Sequence, residues 1–296
     1  MGAGAWAIEK GGLMIYAFYS YKGGVGRTFI MAHCAIGMAA ARLKDKIPVL
    51  AIDMDLEAPG LSRYLPPETM EEPTTGFAGL LLDYVRSGRN KEWLVQHLND
   101  PCYRQKVDGS DNLFVIPAGI GPNSGGNFSE VIACFRDELS RAEDDQGFFP
   151  DLKDALEDAY AYVLIDSRTG LSDPAYASTM LLADSVICCV RLNAENLNGI
   201  RLVLGNMRLK ENDLRTLHLV ATPIPPRGGK DIESWMELLK KLLPEDHKEN
   251  THRIYFDSNL QLGEPLVFSI DGKPALGFSR ETPIVSSLNS LLDRLT

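Results

Sequence analysis

Residues 21–28 read Tyr-Lys-Gly-Gly-Val-Gly-Arg-Thr and stand one residue beyond the apolar run Met14 to Tyr19. Glycines at this spacing let backbone N–H groups turn toward an anion, and a helix starting at once adds the positive end of its dipole. A hydroxyl at the helix start can hold Mg²⁺. Gly23, Gly24 and Gly26 supply the turn, Thr28 the hydroxyl, and the alanine-rich stretch Phe29 to Leu43 the helix. The chemistry is phosphate binding, by the amides of Gly23, Gly24, Val25, Gly26, Arg27, Thr28 and Phe29. The common loop G-x-x-x-x-G-K-[ST] is not met, because its lysine is Arg27 here. What fits is the deviant form K-G-G-x-G-K-T, which opens on a second lysine, here Lys22.

Two further strings stand downstream in the matching order. Val49-Leu-Ala-Ile precedes Asp53-Met-Asp55 and the turn Pro59-Gly60. This reads as a buried parallel strand with carboxylates at its C-terminal end, where nucleotide sites of open α/β sheets lie. Alone, Asp53 and Asp55 could equally end a strand and cap the next element. Tyr162-Val-Leu-Ile then delivers Asp166 to the loop Ser-Arg-Thr-Gly170. That is the form of a Walker B strand, whose carboxylate meets Mg²⁺ through water. All three strings together point to one Mg-nucleotide site.

These residues resemble the ParA/MinD family of deviant Walker A P-loop ATPases, over most of the chain. The resemblance is closest to a bacterial branch whose loop reads K-G-G-V-G-R-[ST]. That branch also carries D-x-D-L-E-A-P-G-L and I-D-S-R-T-G, spelled out here at 53–61 and 165–170. The resemblance implies a Mg²⁺-dependent ATPase that forms a sandwich homodimer on ATP binding, with hydrolysis stimulated by an unidentified protein partner. Related Arg-variant proteins often occur beside or fused to bacterial signalling and defence modules. Two other readings stay open: a DNA-partitioning or cargo-positioning ATPase, and a non-hydrolysing nucleotide-binding adaptor.

The resemblance also assigns roles. Lys22 reaches the partner subunit's nucleotide, and Arg27 takes the place of the P-loop lysine. A guanidinium is bulkier than an ammonium and favours bidentate contacts, so hydrolysis is expected to be slow or partner-dependent, or lost. Thr28 binds Mg²⁺ directly, with Asp53 and Asp166 beyond it. Asp55 orients or deprotonates the attacking water, with Glu57 as its competitor. Pro59 and Gly60 suggest a loop that reorganises around the γ-phosphate. Arg168 either touches phosphate or the dimer partner, or forms a surface ion pair. Relatives place a base-reading asparagine after the sixth strand; Thr222 stands there and can make one of its two contacts. Pro225 and Arg227 could pack on the base. His33, where the family often has asparagine, reads as a helix residue packed against the sheet.

The chain has 296 residues, 45% of them hydrophobic, and a formal net charge of −10. That suffices for a doubly wound, mostly parallel α/β sheet with helices on both faces, expected as one domain over 1–296. The negative charge disfavours nonspecific DNA binding; Arg201, Arg208, Lys210 and Arg215, with Arg227 and Lys230 not far on, make either a local basic face or a solvated one balanced by acids such as Glu211 and Asp213. No apolar run suits a membrane span and no signal peptide is visible, so a cytoplasmic location without membrane contact is expected. The five cysteines make no C-x-x-C, which argues against zinc and iron–sulfur sites. Alternating patterns predict strands near 14–20, 48–54, 112–117, 161–166, 185–191, 216–222 and 252–257. Helices are expected over 27–44, 76–87, 90–98, 128–142, 150–159, 173–183, 195–209, 230–243 and 282–295. The last carries Ile284, Leu288, Leu291, Leu292 and Leu295 at helical spacing and reads as docked on the sheet. Segments 66–75 and 119–126 read as loops.

Overall fold

Strands β1 (Met14–Tyr19), β2 (Val49–Asp53), β5 (Tyr162–Asp166) and β6 (Ser185–Val190) are almost wholly buried. A strand covered on both faces needs that near-continuous apolar run. The computed structural model describes residues 13–68, 75–119, 128–157, 159–207, 216–226, 230–262 and 265–296. With β3 (Gln105–Lys106), β4 (Leu113–Ile116), β7 (Thr216–Ile224) and β8 (Thr251–Tyr255), these strands form one sheet in the order β3-β4-β2-β5-β1-β6-β7-β8. Every neighbouring pair is parallel except β3 with β4. Strands β2, β5 and β1, which precede the three sequence strings, are thereby adjacent. Asp53 is in register with Asp166, and Asp166 with Phe18.

Side chains alternate across this sheet, as the two-residue strand period requires. Tyr16, Phe18, Val49, Ala51, Leu164 and Ile187 face α1 (Arg27–Arg42) and α9 (Pro283–Leu295). Ile15, Leu50, Ile52, Val163 and Ile165 pack on the other face with α2 (Gly76–Arg86), α4 (Phe128–Ala142) and α5 (Phe148–Glu157). Ala17, Tyr19, Val186 and Cys188 meet α7 (Ala194–Met207) and α8 (Lys230–Lys240) on that same side. Where α1 and α9 cross, a Cβ on Gly37 would lie 2.4 Å from Leu292 Cδ1, so the leucine packs into the space glycine leaves and would have to shift for a larger residue. Helix α9 buries Ile284, Leu288, Leu291 and Leu295, and the Tyr16 hydroxyl donates to the Leu295 carbonyl. It is docked on the sheet, as expected. Among the described residues no helix is long and apolar enough to cross a membrane.

The expected strands are all present, and so are the expected helices except that over 173–183, most within two residues of their anticipated bounds, with α3 at Lys91–His97. Differences have local causes. Strand β3 was not anticipated, since two residues carry no readable period. The expected helix over 173–183 is instead a single α-turn, α6 (Asp173–Tyr176), followed by a π-helical stretch, Ala177–Leu182. There the Ala183 amide reaches back five residues to Ser178, and the Thr179 hydroxyl donates to the Ala175 carbonyl at 2.6 Å. Such hydroxyl back-bonding competes with the regular ladder. Most of the expected loop residues 66–75 and 119–126 lie outside the described residues, as do Arg208, Lys210, Arg215 and Arg227.

Three histidines are held neutral. His33 donates from Nδ1 to the Phe29 carbonyl at 2.7 Å and accepts the Val267 amide on Nε2 at 2.8 Å. Burial lowers its pKa to about 4. It packs between Phe29 and Phe268. His218 on β7 and His252 on β8 stack, with Nδ1 and Nε2 3.1 Å apart. Burial lowers each to about 4.

A depressed histidine pKa means that the unfolded chain takes up protons below its own value near 6.5 while the fold does not. The stability these groups allow is complete above that pH and is lost as pH falls toward 4. Replacing both members of the pair, His218→Gln with His252→Gln, should remove about 2.7 kcal/mol per pH unit from the acid slope of unfolding free energy. Denaturant melts between pH 7 and 4.5 check this. Identical slopes in variant and wild type would show that the pair is not buried neutral.

Candidate functional site

The site is built where β1, β2 and β5 end. After Ser20 the chain turns through residues 21–26 into α1, with Gly24 at φ 72° and Gly26 at φ 83°. Both angles strain any residue with a Cβ, which is why glycine stands there. A Cβ built on Gly23 or Gly24 meets nothing within 4 Å, so the loop borders open space. Gly26 is the N-cap of the 16-residue α1 and offers no side chain to its first turn. The free amides and the helix dipole therefore favour an anion at this position. Val25 and Phe29 turn their side chains into the core, leaving only their amides for a ligand. Thr222, buried at the end of β7, has its hydroxyl 3.8 Å from where a Gly26 Cβ would stand. Pro225 is exposed beyond it.

Beside the loop a buried ionic cluster gathers residues from all three sequence strings. Arg27 Nε donates to Asp166 Oδ1 at 2.6 Å, and Nη2 donates to Asp55 Oδ2 at 3.0 Å. The Thr28 hydroxyl donates to Asp166 Oδ2 at 2.7 Å. Arg27 is only 7% exposed and Asp166 is fully buried. Burial opposes the arginine's charge, but Asp166 and Asp55 outweigh it and raise the guanidinium pKa. Burial raises the Asp166 pKa, against the pull of Arg27 and Thr28.

Asp53 has a different task. Its Oδ1 accepts the Asp55 amide at 3.0 Å, and its Oδ2 accepts the amides of Gly60 and Leu61, both at 3.1 Å. It thus fixes the path of 53–61 and so places Asp55. Burial and the nearby Asp166 push Asp53 up to about 7. Asp55 Oδ1 accepts the Ala58 amide at 3.3 Å within the same loop. Glu57 lies outside the cluster and forms a two-pronged ion pair with Arg168, joining the loops after β2 and β5. This is the surface ion pair among the options read for Arg168. Lys22 is exposed and pairs with Glu195 on α7 at 2.7 Å.

Sequence reasoning did not single out Ser20 or Glu195. Ser20 sits between β1 and the glycines, and its carbonyl accepts the Gly170 amide at 3.2 Å, binding the β5 loop to the phosphate loop. Its position between the apolar run and the loop that opens on Lys22 was the available signal; Glu195, remote in sequence from Lys22, offered none. The Ser20 hydroxyl and Arg27 Nη1 are buried without a hydrogen-bond partner. Adjoining the β5 loop is a cleft of about 310 Å³ lined by Tyr19, Leu171, Tyr176 and Val203.

The donor set suits both halves of a Mg-nucleotide. The glycine loop offers amides and a helix end for phosphate. Thr28 and the aspartates offer the hard oxygens Mg²⁺ requires. Two carboxylates, Asp55 and Asp166, share one guanidinium and Asp53 lies near Asp166, so the cluster still favours added positive charge, and Arg27 Nη1 still lacks an acceptor.

No family model matches the chain, and no curated protein matches it in sequence. Solved structures do match in fold. The septum site-determining protein MinD of Pyrococcus horikoshii OT3, complexed with Mg-ADP, is 20% identical with a TM-score of 0.60, covering 96% of each chain. A ParA family ATPase from Chlorobium tepidum TLS is 18% identical with a TM-score of 0.63, covering 96% of this chain and 99% of its own. MinD in the MinC:MinD cell division complex of Aquifex aeolicus is 17% identical with a TM-score of 0.54, covering 95% of each. The chain has the ParA/MinD-like P-loop ATPase fold.

Removing Arg27 would leave Asp55 and Asp166 buried without their counter-ion. Arg27→Ala should therefore cost about 3–5 kcal/mol of unfolding free energy, and Arg27→Lys less, because the charge stays. Denaturant unfolding without nucleotide measures both. A loss near zero for Arg27→Ala would show that the cluster is not held in solution.

Proposed function

We propose that this chain is a Mg²⁺-dependent ATP-binding and ATP-hydrolysing switch that dimerises on ATP and then engages a protein partner. The observation carrying this reading is the convergence of Arg27, Thr28, Asp55 and Asp166 beside the glycine loop at the ends of β1, β2 and β5. Phosphates would lie on the amides of residues 23–29. Thr28, with Asp53 and Asp166 behind it, would hold Mg²⁺, which neutralises charge on the β- and γ-phosphates when bound. Asp55 would orient the attacking water, since its place is fixed by Asp53 through the loop amides. Glu57 is the weaker candidate, because Arg168 engages both of its oxygens.

Base selectivity would be weak. Thr222 has one hydroxyl to offer, and it lies against Gly26. The net charge of −10 favours a protein partner over DNA. The MinC:MinD complex among the structural neighbours is a precedent for such a partner. Its placement in a bacterial signalling or defence system rests on the resemblance of the K-G-G-V-G-R loop and I-D-S-R-T-G.

Lys22 decides the dimer. It precedes the glycines and pairs with Glu195 on its own surface, an exposed contact that contributes little and yields readily to phosphate. A two-fold dimer would bring each Lys22 to the other subunit's nucleotide. Sedimentation with a non-hydrolysable ATP analogue should show a dimer for wild type and a monomer for Lys22→Ala, with monomer affinity for the analogue only modestly reduced. A mutant that dimerises like wild type, or a wild type that stays monomeric at high protein and nucleotide, would rule the sandwich dimer out.

A further inference from the structure

Arg27 stands among the oxygens that a metal ion would use. Its Nε and Nη2 take up Asp166 Oδ1 and Asp55 Oδ2, while the Thr28 hydroxyl completes the group through Asp166 Oδ2. A guanidinium and a divalent cation cannot share these carboxylates, because like charges a few ångströms apart repel strongly where water is scarce. Yet the arginine is not fully satisfied there. Nη1 is buried and has no acceptor, so the guanidinium keeps an unused donor edge. A phosphate oxygen is the kind of acceptor that edge suits.

We propose that Arg27 is the resident counter-ion of the site, which excludes free Mg²⁺ from Asp55 and Asp166 and releases them only when a phosphate accepts its guanidinium. This deepens the ATP-switch reading and rests on it. Metal entry is thereby tied to nucleotide entry, and Asp55 stays engaged until both are present. Arginine suits this task better than lysine, since its planar fork holds two carboxylates at once while an ammonium is a single point of charge.

Mn²⁺, a spectroscopic substitute for Mg²⁺, tests the proposal on the full chain without nucleotide. By paramagnetic resonance titration, Arg27→Gln should bind Mn²⁺ at least about tenfold more tightly than wild type, with Arg27→Lys between them. Equal Mn²⁺ binding by wild type and Arg27→Gln would overturn it. If Arg27→Gln does not fold, the wild-type Arg27 Nε–H resonance, assigned by its loss in Arg27→Lys, gives the answer. It should stay in place with millimolar Mg²⁺ and move only when Mg²⁺ and a non-hydrolysable ATP analogue are both added. A resonance that moves with Mg²⁺ alone, or stays fixed while calorimetry shows the analogue bound, contradicts the proposal. Failure of the analogue to bind at all would instead refute the ATP reading, and the Mn²⁺ comparison would still decide the role of Arg27.

Discussion

One guanidinium buried between two carboxylates is the contact on which this structure turns. Arg27 opens α1, Asp166 ends β5 and Asp55 follows β2, so the Arg27 contacts join a helix to the ends of two strands. Buried charges are costly unless paired and hydrogen-bonded, and this pairing satisfies them only in part. Asp53, raised to about 7 beside Asp166, and the unpartnered Arg27 Nη1 mark the remainder. An arrangement left this way is suited to exchange its contacts, which a phosphate and a divalent cation together could complete.

The surrounding loops serve the same centre. Asp53 gives both oxygens to loop amides and so shapes 53–61, while the Ser20 carbonyl and Tyr19 hydroxyl fasten Gly170 to the end of β1. The Arg168–Glu57 pair joins the two loops at the surface. Movement of one would therefore be felt by the other.

Much of this was legible in the sequence. Apolar runs ending in Asp53 and Asp166, and the glycines after Tyr19, identify strands and loop because burial on both faces and positive φ each demand a narrow set of residues. Strand order follows less directly, yet the three strings could share a site only if their strands were neighbours. What the sequence did not reveal were contacts between remote residues with no pattern of their own. Lys22 with Glu195 and Arg168 with Glu57 depend on where loops meet in space. The pairing of Arg27 with Asp55 and Asp166 is of the same kind, a contact between three separate strings that none of them announces by itself. The π-helical stretch after Tyr176 depends on hydroxyl hydrogen bonds that helical periodicity cannot register.

The proposed function stands or falls with the glycine loop and its ionic cluster as a Mg-nucleotide site. Isothermal calorimetry of ATP into the wild-type chain, with and without Mg²⁺, addresses it most directly. One nucleotide per chain should bind, more tightly with Mg²⁺, with the Mg²⁺-dependent part largely lost in Thr28→Ala. No binding heat at millimolar ATP, together with an unchanged melting temperature, would contradict it.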